Sequence, residues 1–351
     1  MKSTQNLLSV KGLQKYFPLK GKLFQKRPYL KAVENVSFDI KKGEVFALVG
    51  ESGCGKSTLG RTILQLYRPT KGQVLYYGEG GEMDLCKLSK PKLRKMRKEI
   101  QIVFQDPYSS LNPRLTVGQT VEEGMLAHGL CKKGAEARKR TAEIFEKCGL
   151  PSDCSVRYPH QFSGGQRQRV CIARALALNP KFIVCDECVS ALDASVQSQI
   201  LNLLSDLKEK EGLTYLFISH DLSVVRYISD RVAVMYLGEI VELGQTEEIF
   251  KNPRHPYTVA LLSASPKITG KKSEKIYLSG HTPSPVTPPC GCKFHTRCFM
   301  AQDICRRQNP PLTEIKEGHT VACHFAEISA SKKREIALSR SEQGEKSVKN
   351  G

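Results

Sequence analysis

A glycine-rich loop constrains the fold of this chain more than any other feature of its sequence. The nine residues GESGCGKST, from Gly50 to Thr58, match the pattern G-x-x-x-x-G-K-[ST] of a phosphate-binding loop. An apolar run, EVFALVG, leads into the loop, and Leu59, Ile63 and Leu66 follow it at helical spacing. Strand, loop and helix in this order form one unit of a parallel sheet. The sequence therefore predicts an α/β fold with an anion site in this loop, called the phosphate loop below.

The chemistry of the phosphate loop follows from its residue types. Its backbone N–H groups would surround a β-phosphate, Lys56 would reach the β- and γ-oxygens, and Ser57 would ligate Mg²⁺. The candidate nucleotide-binding residues of the loop are Gly50, Ser52, Gly53, Cys54, Gly55, Lys56, Ser57 and Thr58. Beside Lys56 and a helix start, Cys54 could have a lowered pKa, but a small filler side chain is the favoured interpretation.

Other apolar runs predict the remaining strands of the sheet. FIVCD (182–186) and YLFIS (215–219) are continuously apolar, as is typical of strands buried on both faces. The stretch RVAVMYLGEIVELG predicts a hairpin that turns near Gly238. Between these runs, and over most of 117–149, the apolar residues recur at helical spacing, which predicts helices there.

Polar residues at the ends of these runs supply the other groups that phosphoryl transfer needs. Asp186 can support Mg²⁺, and the adjacent Glu187 can polarise a water molecule as a general base. His220 follows the run LFIS, at a sheet edge where ligands collect, and is a candidate γ-phosphate contact. Gln105, in VFQDP, is a candidate contact for metal and water.

A second candidate anion site lies far from the phosphate loop in sequence. In FSGGQRQRVCIARAL, Ser163 and Gln166 fit a capping box at a helix start, and Gly164 and Gly165 would let a ligand approach the backbone. The free N–H groups and the positive dipole end of such a helix attract an anion. A single nucleotide does not explain two such sites.

The order of the phosphate loop, VFQDP, FSGGQRQR, FIVCDE, SALD and ISHD resembles the ATP-binding cassette (ABC) ATPases over about residues 7–263. The resemblance implies that ATP lies between two cassettes, so that the segment 163–166 serves the γ-phosphate held by a partner cassette. It places Asp193 at the dimer seam and Phe17 against adenine, with Tyr16 as the alternative. The implied fold class is α/β, an ABC-type P-loop ATPase core with a mainly parallel sheet, N-terminal antiparallel strands and a helical subdomain.

The chain departs from the ABC pattern at two places. Phe162 stands where leucine is commonest, and Cys188 and Val189 follow Glu187 where proline and threonine are usual. Loss of the proline should loosen the turn after the catalytic glutamate and lower turnover, but it removes no reacting group.

A cysteine-rich segment follows the cassette. Five, six and seventeen residues separate Cys292, Cys298, Cys305 and Cys323, without the C-x-x-C pairs of an ordinary zinc ribbon. These four thiols could bind zinc or an iron–sulfur cluster, or be buried free thiols. For zinc, the further candidate ligands are His295, His319 and His324.

The phrases FQDPYSSLNPRLTVG, HPYTVALLSASP and GCKFHTRC…GHTVACH resemble the ATP-binding subunits of oligopeptide, dipeptide and nickel importers, which extends the resemblance to about residue 325. In that group the four matching cysteines are associated with a [4Fe–4S] cluster, while Cys290 has no counterpart. The resemblance implies a second ATPase subunit, identical or related, two membrane permease subunits and an extracellular or periplasmic solute-binding protein. The expected function is ATP hydrolysis that powers import of oligopeptides or dipeptides; nickel or another solute is the alternative cargo.

These motifs predict a cassette at 1–264, with its helical subdomain at about 106–176, a small C-terminal Cys-rich module at 265–325 and a disordered tail at 326–351. The chain has no signal-peptide core and no apolar run of about 18 residues, so we expect neither export nor a membrane-spanning segment. The resemblance to importer subunits implies a peripheral protein at the cytoplasmic face of the membrane. Because export is not expected, the thirteen cysteines should be reduced thiols or metal ligands.

The net charge of +19 suits an anionic membrane surface or nucleic acid. A soluble DNA-repair ABC ATPase is therefore an alternative, but the paired cysteines and large insertions of that class are missing, and no nucleic acid partner is expected. A non-hydrolysing regulatory cassette is a second alternative, against which Lys56, Glu187 and His220 argue.

Overall fold

The structure, a computed structural model, describes residues 5–20, 27–264 and 275–349. The strands are β1 (Asn6–Pro18), β2 (Tyr29–Lys41), β3 (Val45–Val49), β4 (Lys71–Gly78), β5 (Gly81–Asp84), β6 (Ile100–Val103), β7 (Phe182–Asp186), β8 (Thr214–Ile218), β9 (Arg231–Tyr236), β10 (Glu239–Gln245), β11 (Thr313–Lys316) and β12 (His319–Val321). The helices are α1 (Lys56–Ile63), α2 (Lys90–Met96), α3 (Pro107–Ser110), α4 (Val117–Ala127), α5 (Ala135–Lys147), α6 (Gly164–Leu176), α7 (Ala194–Glu211), α8 (Leu222–Ile228), α9 (Thr246–Lys251), α10 (Pro256–Ala264), α11 (Asp303–Arg307) and α12 (Ala330–Lys349).

The larger sheet has the strand order β11-β12-β10-β9-β3-β8-β7-β6. Strands β9, β3, β8, β7 and β6 pair in parallel, and β10, β12 and β11 add antiparallel pairs. Every residue of β3, β7 and β8 is buried, because helices or a second sheet cover both faces of the centre. The predicted apolar strands and the hairpin turn near Gly238 are confirmed.

A smaller antiparallel sheet, ordered β2-β1-β4-β5, covers one face of the larger sheet. The alternation of side chains along β3 connects the two cores. Phe46 and Leu48 join the residues of the antiparallel sheet and α1, while Val45, Ala47 and Val49 join those of α4 to α8. Between β6 and β7 the chain forms α3 to α6, within the range expected for the helical subdomain.

The cysteine-rich region continues the cassette's sheet. Hairpin β11–β12 pairs with β10, with Glu242 opposite Val321. Phe294 enters the main core beside Tyr236 and Tyr257. The boundary at 264/265 stays a prediction, and its C-terminal side begins with residues that lie outside the described range.

Within the segment 326–351, where the sequence predicts a disordered tail, the structure has the helix α12, which begins at Ala330. Lys333 is fully buried, and its Nζ donates to the carbonyl oxygens of Arg254 and Ile328. Ala337 packs in a small cluster with residues of α10. The segment is polar in composition, and the residues by which it docks, a buried lysine and small apolar side chains, are not conspicuous in the sequence. Among the described helices, none has the length and apolarity to cross a membrane.

Candidate nucleotide-binding site

Two glycines allow the phosphate loop to pass close to neighbouring strands. A Cβ on Gly55, the N-cap of α1 with φ 111°, would lie 2.1 Å from the carbonyl oxygen of Ala32. A Cβ on Gly50, with φ 153°, would lie 2.2 Å from the carbonyl oxygen of Met235. Only glycine fits either position, so the spacing of the motif is a steric requirement of the loop.

Lys56 lies inside the curve of the loop. Its side chain is buried at 4% exposure, and Nζ donates to the carbonyl oxygens of Gly50 at 2.8 Å and Glu51 at 3.1 Å. The ammonium group is thus fixed where the loop's N–H groups and the start of α1 would meet a phosphate.

Asp186 and Ser57 meet beside the loop, as expected for a shared metal. Ser57 Oγ donates to Asp186 Oδ1 at 2.6 Å, and Arg61 Nη2 lies 3.2 Å from Asp186 Oδ2. Asp186 is 1% exposed. A hydroxyl and a carboxylate oxygen are ligands that suit Mg²⁺.

Three predicted catalytic side chains meet at a single carboxylate. Gln105 Nε2 donates to Glu187 Oε2 at 3.0 Å, and His220 Nδ1 lies 3.3 Å from the same oxygen. Glu187 has φ 51°, a left-handed conformation that is unusual for a side chain other than glycine. The backbone N–H and the hydroxyl of Ser190 donate to its carbonyl oxygen at 3.1 and 2.9 Å. The turn is therefore hydrogen-bonded even with Cys188 in place of proline. The lower ATP turnover expected from this replacement stays a prediction.

These residues surround a cavity of about 280 Å³. The lining residues include Phe17, Leu30, Lys31, Ala32, Ser52, Gly53, Cys54, Gly55, Lys56, Ser57, Thr58, Gln105, Glu187, Leu237, Gly238 and Pro285. Phe17 lines the cavity, whereas the hydroxyl of Tyr16 bonds to Glu34, which favours Phe17 for stacking on a base. Sequence reasoning missed Leu30, Lys31, Ala32, Leu237, Gly238 and Pro285, which no motif marks.

The alternative interpretation, in which Cys54 has a lowered pKa, is wrong. Burial raises the pKa of the Cys54 thiol, and Lys56, whose Nζ lies 3.9 Å from Sγ, offsets this only in part. Cys54 is 5% exposed and acts as a small side chain inside the loop.

The capping box at the start of α6 is confirmed. The N–H of Ser163 donates to Gln166 Oε1 at 3.0 Å, and the N–H of Gln166 donates to Ser163 Oγ at 3.3 Å. A Cβ on Gly164 would lie 3.6 Å from Leu192, but one on Gly165 would lie 2.3 Å from Val196 Cγ1. Packing against α7 therefore also favours glycine at 165, in addition to the expected approach of a ligand.

Residues 163–166 are not among those that line the cavity of their own chain. Asp193 caps α7 beside them and accepts hydrogen bonds from the N–H of Val196 at 2.9 Å and from Ser195 Oγ at 2.8 Å. These bonds hold the pKa of Asp193 below its usual value. Asp193 is exposed, so it can face a partner; its position at a dimer seam stays a prediction.

A second cavity collects the four cysteines of the C-terminal region. Cys292, Cys298, Cys305 and Cys323 all line it. The N–H groups of Met300 and Phe325 donate to the sulfur atoms of Cys298 and Cys323 at 3.3 and 3.4 Å. Burial raises the pKa of Cys292 to about 11 and that of Cys298 to about 12, and the neighbouring thiols add to both shifts.

No group of three or more His, Cys, Asp or Glu side chains in the described ranges is arranged to hold a metal ion. The iron–sulfur and zinc predictions thus have no direct support. His295 and His324 line the cysteine cavity, but His319 does not: its Nε2 lies 2.8 Å from Glu242, so its expected role as a ligand is wrong. Cys290 is exposed and lies outside the set, as expected.

Comparison with known proteins places the chain in a family. Residues 33–190 match the family model "ABC transporter", and residues 241–305 match "Oligopeptide/dipeptide transporter, C-terminal region". The ATP-binding cassette MJ0796, in a dimeric post-hydrolysis structure with ADP and Pi, is 33% identical with a TM-score of 0.58, over 68% of this chain and 98% of that one. An ADP-bound cassette, MJ1267, is 28% identical with a TM-score of 0.60, over 75% of this chain and all of that one. The chain belongs to the ABC transporter family as an ATP-binding protein.

Among named relatives, the chain is 52% identical to the oligopeptide transport ATP-binding protein AppF of Bacillus subtilis, over 92% of this chain and 98% of that protein. It is 49% identical to the dipeptide transport ATP-binding protein DppF of Haemophilus influenzae, over the same shares of both chains. The predicted family, fold class and ABC-type ATPase activity are confirmed. The second family match ends at residue 305, so it covers three of the four cysteines.

Proposed function

We propose that this chain hydrolyses ATP to power the import of oligopeptides or dipeptides. The observation that carries the proposal is the meeting of Gln105 and His220 at Glu187, beside a cavity that also holds Lys56. The relatives named above, whose names state oligopeptide and dipeptide transport, support the cargo class.

In this proposal each candidate side chain has one task. Phe17 stacks on adenine, and Lys56 neutralises charge on the β- and γ-phosphates. Glu187 accepts a proton from the attacking water, Gln105 orients that water, and His220 contacts the γ-phosphate. Ser57, Asp186 and Gln105 would hold Mg²⁺, which supplies charge neutralisation at the phosphates when bound.

The site is proposed to be complete only in a pair of cassettes. Residues 163–166 lie outside the cavity of their own chain, and two solved structures of the relative MJ0796 are described as dimeric. Residues 163–166 would thus serve the γ-phosphate in a partner, identical or related, with Asp193 at the seam. Two permeases in the membrane and a solute-binding protein complete the importer, which places this chain at the cytoplasmic face.

We also propose that the four cysteines bind one [4Fe–4S] cluster, with zinc as the alternative. Their convergence on one cavity and the N–H groups aimed at two sulfur atoms suit a set of thiolate ligands. Iron and sulfide analysis of protein purified without oxygen tests this: four of each per chain is expected. One zinc without sulfide would favour the alternative, and neither metal would contradict both.

A complementation assay tests the paired site. Lys56→Ala and Ser163→Arg should each abolish ATPase activity, because one damages the phosphate loop and the other the segment offered to the partner. A dimer that contains one chain of each variant has two nucleotide sites. One of these sites joins the intact loop of the Ser163→Arg chain to the intact 163–166 segment of the Lys56→Ala chain. Activity should therefore return, as a homodimer requires.

If mixing fails to restore activity, the partner is a related chain, and the same test applies to that pair. Tagged protein isolated from membranes should bring with it two permeases and any related ATPase. Full activity of a strict monomer, or an active Ser163→Arg variant, would contradict the paired site. Salt-sensitive binding to DNA in place of membrane partners would favour the DNA-repair alternative.

A further inference from the structure

The loop between Cys292 and Cys298 makes two charged contacts with residues next to those that line the nucleotide cavity. Arg297 Nη1 lies 2.9 Å from Glu51 Oε2 and 3.1 Å from Oε1. Lys293 Nζ lies 3.0 Å from Glu239 Oε1. A short segment of the cysteine-rich region thus contacts both the phosphate loop and the turn between β9 and β10.

Glu51 is the point where this contact reaches the phosphate loop. Its carboxylate also accepts from Thr282 Oγ1 at 3.0 Å, and its N–H donates to the hydroxyl of Tyr257 at 2.8 Å. Its carbonyl oxygen accepts from Lys56 Nζ at 3.1 Å. Arg297 and Lys56 therefore bond to the same residue, Arg297 at the carboxylate of Glu51 and Lys56 at its carbonyl oxygen. The Arg297 and Glu51 side chains are only 10% and 28% exposed, so water screens their attraction weakly.

Lys293 contacts a second part of the cavity lining. Its Nζ donates to the carbonyl oxygen of Leu237 at 3.0 Å, and Leu237 and Gly238 both line the cavity. The N–H of Gly238 donates to the carbonyl oxygen of Cys54 at 2.9 Å. Lys293 thus reaches the phosphate loop indirectly, through the turn that is hydrogen-bonded to it.

Pro285 makes a third contact between the C-terminal segment and the cavity. It lines the cavity together with Phe17, and its carbonyl oxygen accepts from the N–H of Lys31 at 3.3 Å. Pro285 therefore lines the cavity itself, while Lys293 bonds to the lining residue Leu237 and Arg297 bonds to Glu51, the neighbour of the lining residue Ser52.

We propose that the segment 282–297 is a binding and positioning part of the nucleotide site of its own chain, and that it couples nucleotide affinity to the cysteine region. The inference rests on the proposed position of ATP in this cavity. Arg297 is a positioning residue: it acts through Glu51 on the carbonyl that holds Lys56. Coupling between two sites is reciprocal, so bound nucleotide should in turn steady the loop between Cys292 and Cys298.

The affinity of the full chain for a fluorescent ATP analogue tests the proposal. Arg297→Gln and Glu51→Gln should each weaken binding by roughly fivefold, the size expected for a half-buried, charge-assisted contact. Because both substitutions break the same contact, the affinity of the double variant should equal that of the single variant with the lower affinity. Arg307→Gln changes an exposed arginine of the same region and should bind as the unmodified chain does.

Hydrogen exchange supplies a second readout that does not depend on activity. Nucleotide should slow backbone exchange at 292–298 in the unmodified chain and in Arg307→Gln, but not in Glu51→Gln, which leaves the cysteine region itself unchanged. Unaltered affinity in Arg297→Gln and Glu51→Gln, or exchange at 292–298 that ignores nucleotide, would overturn the proposal. Lys56→Ala distinguishes failure of this proposal from failure of the proposed nucleotide site. If Lys56→Ala also binds the ATP analogue with unaltered affinity, ATP does not occupy this cavity.

Discussion

The contact between Gly165 and Val196 makes a quantitative prediction about the segment SGGQ. Gly164 and Gly165 are adjacent in the first turn of α6, and neither has a left-handed backbone. Alanine is therefore allowed by the backbone at both positions, and only space distinguishes them. An alanine Cβ would meet Leu192 Cδ2 at 3.6 Å from position 164, an ordinary contact, but Val196 Cγ1 at 2.3 Å from position 165, far inside contact distance.

The expected free energies of unfolding follow from two opposing effects. Replacing glycine by alanine in a helix stabilises by up to about 1 kcal/mol. Forcing an extra methyl group into a packed contact destabilises by about 1–3 kcal/mol. Gly164→Ala should thus be neutral or more stable by up to about 1 kcal/mol, while Gly165→Ala should be less stable than Gly164→Ala by about 1–3 kcal/mol.

Urea unfolding of the purified chain measures these values, and Val196→Ala provides the rescue. In the background of Val196→Ala the clash is absent, so Gly165→Ala should cost little, and the two substitutions should be coupled by at least about 1 kcal/mol. If Gly165→Ala were as stable as Gly164→Ala, or if its cost were the same with Val196→Ala, the packing explanation would be refuted. The glycine would then be needed only for an approaching ligand.

Three further predictions concern single residues. Ser163→Arg should leave binding of a fluorescent ATP analogue intact while ATPase activity falls by at least about 100-fold, as for lost transition-state contacts; parallel loss of binding would contradict a role in the partner's site. Because burial raises the pKa of Cys54, iodoacetamide should label it far more slowly at pH 7.5 than the exposed Cys290, as measured by mass spectrometry, and equal rates would contradict the buried thiol. Burial lowers the pKa of His255 to about 3, below an unfolded value of about 6.5, so unfolding takes up a proton between these values. The free energy of unfolding should therefore fall by up to about 1.4 kcal/mol per pH unit below about pH 6.5. Urea unfolding at several pH values should show a weaker dependence of this free energy on pH in His255→Gln.

The parts of the site that the sequence predicted correctly are those encoded by short motifs. The phosphate loop is recognisable from nine consecutive residues, and Asp186 and Glu187 follow an apolar run that marks a buried strand. Parallel strands bring such ends to one edge of a sheet. The meeting of Ser57 with Asp186, and of Gln105 with Glu187, therefore followed from fold class and motif order.

Contacts between distant segments could not be predicted in this way. Arg297 meets Glu51 across 246 residues of sequence, and a lone arginine among cysteines gives no sign of such a partner. The docking of α12 depends on Lys333, whose burial runs against the usual preference of lysine for water. Only the folded arrangement shows that two backbone carbonyls accept its ammonium group.

The pairing of β12 with β10 has a consequence for work with shortened forms of this protein. A chain cut at residue 264 would keep β10 but lose β12, so the outer backbone groups of β10 would be unpaired beside the apolar Ile240 and Val241. An open strand of this kind is a template for intermolecular pairing and aggregation. In the full chain the outermost strand is instead β11, only four residues long and carrying Glu314 and Lys316, which is a poor template.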